Sequence, residues 1–377
     1  MSWGILYYGF AVFLRPMEID LHATRVEITG AFSAGLLVAA ALAVPVGRWI
    51  DRHGARSLMT AGSCLGTALV LGWARVESLP ALYGVWVLMG VALAATLYEP
   101  AFAAVVSWFT RRRDRALLIV TLTAGLASTI FVPLATWLLV RQGWRPALVT
   151  LAIILAVITI PIHALVLRRP PAGADAPAGP PRAPSVGLGA ALRMPVFWVL
   201  SAAFLVGNFA TVSVTVHLIP YLTERGYSLQ AAGVALAWVG AAQLAGRIVF
   251  APIARRVGHS WLTAAIFVVQ AAGIALLALL GGVPVLALVV LMLGASNGMA
   301  TLARATLAAE MFGAASYGAI AGALSVGTTT ARALGPVGAS LLRVWLDGYV
   351  PVFWLLAGVL VLAAIGVGVS ARNAAQS

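Results

Sequence analysis

The chain of 377 residues is 62% hydrophobic, carries only 9% charged residues and has a mean hydropathy of +1.00. So few polar side chains cannot cover a soluble globule, which excludes a soluble enzyme or binding domain and requires an integral membrane protein. The formal charge of +13 rests on 24 arginines and no lysine, scattered between apolar stretches, and no basic soluble domain exists to bind nucleic acid.

Twelve stretches predict membrane-spanning helices, at about 2–17, 28–50, 57–75, 80–108, 116–139, 145–167, 195–222, 229–252, 260–281, 284–309, 316–342 and 349–370. Each is near the ~20 residues that a helix needs to cross a bilayer. The first is short, with ~16 residues before Glu18, or about 24 Å of helix against a core of about 30 Å. It reads as a helix truncated at its N-terminus, with a start upstream of Met1 expected. The absence of a basic leader and a clear cleavage site argues against a signal peptide. The third stretch holds the one cysteine, Cys64, so neither an internal disulfide nor a cysteine metal cluster is expected. No metal and no cofactor are expected at all.

Short loops make consecutive helices antiparallel neighbours. The exception is 168–193, where six prolines with alanine and glycine offer no apolar periodicity and predict a flexible cytoplasmic linker. The expected organisation is an all-α membrane protein of two pseudo-symmetric six-helix bundles, 1–167 and 194–377, joined by that linker. Loops on the side of the linker, with the C-terminus, hold 14 arginines against seven on the other, which puts both termini in the cytoplasm of a cell (inner) membrane protein. The two halves echo each other. Asp51-Arg52-His53-Gly54 aligns with Arg255-Arg256-Val257-Gly258, and Trp108-Phe109 with Met311-Phe312. Parallel six-span repeats are the layout of facilitator-type transporters.

The loop between the second and third spans reads Gly47, Asp51, Arg52, Gly54, Arg56. Gly47 permits close approach of helices and Gly54 a tight turn. Asp51 can accept from Arg52, from the cluster Arg111 to Arg115, or from a helix N-terminus. This pattern resembles the signature of the major facilitator superfamily over a chain of the right length and span count. The resemblance implies a secondary transporter whose loop acts as a cytoplasmic gate, with a substrate site between the halves. Trp108-Phe109, the triplet Arg111 to Arg113, Ala116 and Ala124-Gly125 are similar to the monocarboxylate and oxalate/formate branch. Drug and secondary-metabolite exporters are the alternative branch, but their helix 4 arginine motif has no counterpart in 85–96 and their helix 5 Gly-Pro run is missing. A membrane receptor or enzyme is a distant alternative, since no nucleophile-base set or nucleotide loop appears.

Three arginines and one glutamate lie well inside spans: Arg247, Arg304, Arg332 and Glu99. Each such charge costs roughly 2.5–3.5 kcal/mol near the bilayer centre, so it needs a partner, a wet cavity or a task. Each arginine sits on a polar helical stripe, with Gln243 before Arg247, Asn297 before Arg304 and Ser325 before Arg332. Three positive charges against one negative favour an anionic ligand, and the guanidinium fork suits a carboxylate. The resemblance implies that basic residues of helices 8 and 11 hold the carboxylate; Arg247 matches the first position, and Arg332 lies about one turn from the second. Candidate substrate residues are therefore Arg247, Arg332, Arg304, Gln243, Asn297 and Tyr98. Glu99 is expected to be a proton carrier or counter-ion, possible structural partners of Arg304 are Glu99 and Glu310, and His217 and His163 are expected to be packed polar residues. The partners are then a small organic anion, a mono- or dicarboxylate, and the lipid bilayer, with the protein working as a monomer.

The linker reading yields a test: replacing 170–184 by a glycine-serine segment of equal length should leave transport unchanged, because only reach is required. Lost activity in correctly inserted protein would show that its sequence matters.

Overall fold

The computed structural model describes residues 1–109, 112–168 and 186–376, and among them every regular element is helical. A π-helix at Trp3–Tyr8 leads into α1 (Gly9–Asp20), then α2 (Arg25–His53), α3 (Ala55–Trp73), α4 (Leu79–Thr96), α5 (Tyr98–Trp108), α6 (Arg113–Gln142) and α7 (Trp144–Leu165). After the short α8 (Leu188–Ala191) come α9 (Pro195–Glu224), α10 (Leu229–Val257), α11 (His259–Ala278), α12 (Val283–Phe312), α13 (Tyr317–Trp345) and α14 (Tyr349–Gln376). All twelve predicted stretches fall on helix, and nine spans among the described residues are long and apolar enough to cross a membrane. Most of the expected linker, 169–185, and Arg111 of the basic cluster lie outside the described residues.

Two expected single helices are interrupted. The first span opens as a π-helix before becoming α-helical at Gly9. The fourth span breaks at Leu97, whose backbone leaves the helical region (φ −86°, ψ −144°) between α4 and α5. The cause is Pro100, which has no N–H to return to the carbonyl of Thr96 and whose ring crowds that turn.

The halves repeat with a constant displacement of 204 residues. Thr24 and Ser228 cap α2 and α10 with side-chain oxygens, and both helices then run for 29 residues to a glycine with positive φ, Gly54 at 80° and Gly258 at 82°. Glycine is required there because one residue in this conformation turns the chain into the next helix. The same displacement carries the end of α5 at Trp108 onto the end of α12 at Phe312, one residue away from the alignment expected from sequence. Packing repeats too: a β-carbon on Gly90 would overlap the Gly35 carbonyl, and one on Gly294 would overlap that of Val239. In this register Pro100 is matched by Arg304. Arginine keeps its N–H, and α12 continues unbroken for 30 residues where the fourth span cannot.

Contacts divide the chain into two compact units, Met1–Leu188 with Phe312–Thr329, and Gly189–Met311 with Thr330–Ser377. In the first, α4 packs on α2 and α3, and α3 on α7, around fully buried Phe13, Trp73 and Trp86. The Trp73 indole donates to Met17 Sδ at 3.1 Å. In the second, α14 packs on α11 and α9 around Tyr221, Phe267 and Phe353, and the Tyr221 hydroxyl donates to the Leu277 carbonyl at 2.7 Å.

Overpacking a close backbone contact costs about 1–3 kcal/mol. Gly90→Leu and Gly294→Leu should therefore lower the melting temperature of detergent-solubilised protein to a similar extent, whereas Gly84→Leu, with nothing within 4 Å of its added β-carbon, should not.

Candidate functional site

Within the first unit the last turns of α2 meet the start of α13. Gly47 lies so close to Gly318 that a β-carbon on either would strike the other's carbonyl, and Gly322 approaches the Ala43 carbonyl in the same way. This approach delivers Asp51 to the first turn of α13: Oδ1 accepts from the Gly318 amide at 2.7 Å and Oδ2 from the Ala319 amide at 2.8 Å. Asp51 as a residue is exposed, yet both of its carboxylate oxygens are engaged. Those amides would otherwise lack intrahelical acceptors, and the helix dipole favours a negative charge at this end. Of the partners expected for Asp51, the structure supplies the helix N-terminus. A cavity of about 310 Å³ beside it is lined by Asp51, Arg52, Gly54, Arg56, Arg168 and Tyr317, so the motif residues from 51 to 56 share one surface.

Glu99 lies in the first turn of α5, created by the Leu97 break, where an acid is favoured by the helix dipole. Its neighbour Tyr98 sits among aromatics, 4.9 Å from the Trp3 ring and stacked on Phe102 at 4.9 Å. Trp3 belongs to the π-helix, so the π-helix and the Leu97 break both fall beside Tyr98. The expected single spans missed both interruptions: the π-helix has no compositional signal, whereas Pro100 is the signal that could have located the break.

In the second unit Arg247 is buried, with 6% of its surface exposed, while Arg304, Arg332, Gln243 and Asn297 are half-buried. The structure brings the α10 and α12 stripes together, because Gly246 abuts the Ala295 carbonyl and Gly298 abuts that of Gln243. The stripe residues Gln243 and Asn297 therefore flank one backbone seam, with Arg247 one turn along it. Arg332 lies on α13, in the part of that helix assigned to this unit. Glu310, offered as a partner of Arg304, is paired instead with His259 at 2.7 Å. His217 is a packed polar residue as expected, with Nδ1 3.1 Å from the Tyr349 hydroxyl and Nε2 3.3 Å from the Ser340 hydroxyl. His163 likewise meets Ser63 Oγ at 2.7 Å. Among the described residues no group of three or more His, Cys, Asp or Glu side chains could hold a metal ion.

The family model of the Major Facilitator Superfamily matches residues 1–336. The oxalate:formate antiporter of Oxalobacter formigenes is 26% identical over 58% of this chain and 52% of its own. Human monocarboxylate transporter 11 is 30% identical over 66% of this chain and 52% of its own. The fujikurins efflux protein of Gibberella fujikuroi is 28% identical over 54% of this chain and 43% of its own, so the matches span about half the length of these relatives. Among solved structures, the E. coli fucose:proton symporter FucP superposes with a TM-score of 0.74 at 15% identity, covering 97% of this chain and 95% of the symporter.

Asparagine at position 51 would keep one acceptor and turn a donor toward an amide, at a cost of about 1–3 kcal/mol. In a Cys64→Ser background, Asp51→Asn should speed alkylation of a cysteine placed at Ser316 and lower turnover more than ligand affinity. Unchanged labelling and transport would leave Asp51 with a role in topology only.

Proposed function

The chain belongs to the major facilitator superfamily of membrane transporters, and on that premise we propose that it moves a small organic anion, a mono- or dicarboxylate, by alternating access. One observation carries this reading. In the repeat register Arg247 falls on Ala43, so the first half builds the same 29-residue helix with a buried alanine where the second buries an arginine. The architecture does not require a cation at this position. A charge kept inside a span at a cost of roughly 2.5–3.5 kcal/mol is then retained for a task.

Arg247 and Arg332 take the carboxylate, the planar fork of each offering two parallel donors. Arg304, Gln243 and Asn297 extend the same polar seam, and Tyr98 contributes an apolar face with a hydroxyl. Glu99 is the proton carrier or the counter-ion of an arginine, making the cycle proton-coupled or an exchange. The Asp51 contact with α13 is the gate, made in one state of the cycle and released in another, with Gly47, Arg52, Gly54 and Arg56 shaping it. The carboxylate-transporting relatives support this choice over export of lipophilic compounds, and the arginine distribution supports an inner-membrane protein with both termini in the cytoplasm.

Arg247→Gln should weaken carboxylate binding by about 10- to 100-fold, the equivalent of about 1.5–3 kcal/mol for a hydrogen bond to a charged group. Arg247→Lys should recover part of it, keeping charge without the fork. Calorimetry on purified protein with a carboxylate panel and the matching neutral amides is the direct measurement. Equal binding of acids and amides would overturn the anion reading, and protection of cells against lipophilic cations would favour export.

A further inference from the structure

We propose that the turn between α2 and α3 carries a binding site for a phosphate group, separate from the residues assigned to the transported anion. A cavity of about 830 Å³ opens there, lined by His53, Arg56, Ser57, Thr60, Ala164 and Arg168 among others. Two guanidinium groups, an imidazole and two hydroxyls thus border one space, and no lining residue is acidic. Arg56 and Arg168 are exposed, and neither guanidinium has an ion-pair or hydrogen-bond partner among the described residues. The nearby acid, Asp51, forms no ion pair with either arginine; its two oxygens accept from the Gly318 and Ala319 amides in the first turn of α13.

The depth of the cavity indicates what fills it. Trp49 is 46% exposed and lies against the His53 ring at 4.4 Å, its indole reaching the Ser57 hydroxyl at 3.5 Å. Exposed tryptophan beside arginine marks the interfacial zone of a membrane, where phosphate is the abundant anion. A phosphate group has enough oxygens to engage both arginine forks and the Ser57 hydroxyl together, while the Thr60 hydroxyl donates to the Arg56 carbonyl at 2.7 Å. The first turn of α3, which has no side-chain cap, adds amide donors of the same polarity. A phospholipid headgroup and a soluble organophosphate share this chemistry.

The test is intact-protein mass spectrometry of the full chain in detergent, offered phosphatidylglycerol, diacylglycerol of the same chains, or glycerol 3-phosphate. Phosphatidylglycerol should be retained and diacylglycerol lost. Each arginine replaced, in Arg56→Gln and Arg168→Gln, should lower retention about fivefold, the equivalent of about 1 kcal/mol. Ala164→Phe, which fills the cavity without altering charge, should lower it as well, whereas Arg112→Gln with Arg115→Gln should not. Displacement of the lipid by glycerol 3-phosphate would support the site with a soluble occupant. The proposal is overturned if diacylglycerol is retained equally, if Ala164→Phe binds as wild type, or if the Arg112 and Arg115 changes cost as much as those in the cavity.

Discussion

Inside a bilayer no water competes for peptide groups, and lipid tails are as apolar as leucine, so helices associate by close packing rather than by hiding from solvent. The glycine contacts are the local form of that constraint. Gly90 against Gly35, and Gly294 against Val239, bring backbones close enough that a single methyl group would not fit. Because the same contact recurs at a displacement of 204 residues, each half holds its second helix on its fourth by the same device. The remaining side chains are then placed by helix phase alone.

That regularity makes departures from it informative. Repeat-related positions share a backbone environment, so a difference in side chain between them reflects something other than the fold. Ala43 against Arg247 is one such difference, and Pro100 against Arg304 is another. The second explains both a break and its absence, since the position that lacks an N–H interrupts its span and the position that has one does not. Asp51 is a third, matched in the repeat register by Arg255. It reaches α13 only because Gly47 and Gly318 allow the two helices to touch.

Much of the architecture was legible in sequence because hydrophobic runs of bilayer length leave few alternatives to a helix. The turns at Gly54 and Gly258 were legible for the same kind of reason, since a glycine between two apolar runs signals a chain reversal. The π-helix at Trp3–Tyr8 was not: it packs against α6, more than 100 residues away in the chain, and no local pattern encodes that contact. The assignment of Tyr317–Thr329 to the first unit was equally hidden: it follows from contacts with Ala43, Gly47 and Asp51, about 270 residues away in the chain. For the site, composition identified which charges were anomalous. It could not give their partners, and the pairing of Glu310 with His259 rather than an arginine became visible only in three dimensions.

The break at Leu97 has a mechanical consequence. A continuous helix resists bending because curvature must lengthen or sever hydrogen bonds along its outer side. At this point one rung of the ladder is already missing, as position 100 offers no donor to the Thr96 carbonyl. Thr96 turns its own hydroxyl back to the Ala92 carbonyl at 2.7 Å, which keeps the end of α4 intact on its side of the gap. The two rods, 18 and 11 residues long, can change their mutual angle by torsion at a single peptide without losing another bond. The fourth span thus has a built-in compliant joint one residue from Tyr98 and two from Glu99, and its twin in the second half, rigid throughout, has none.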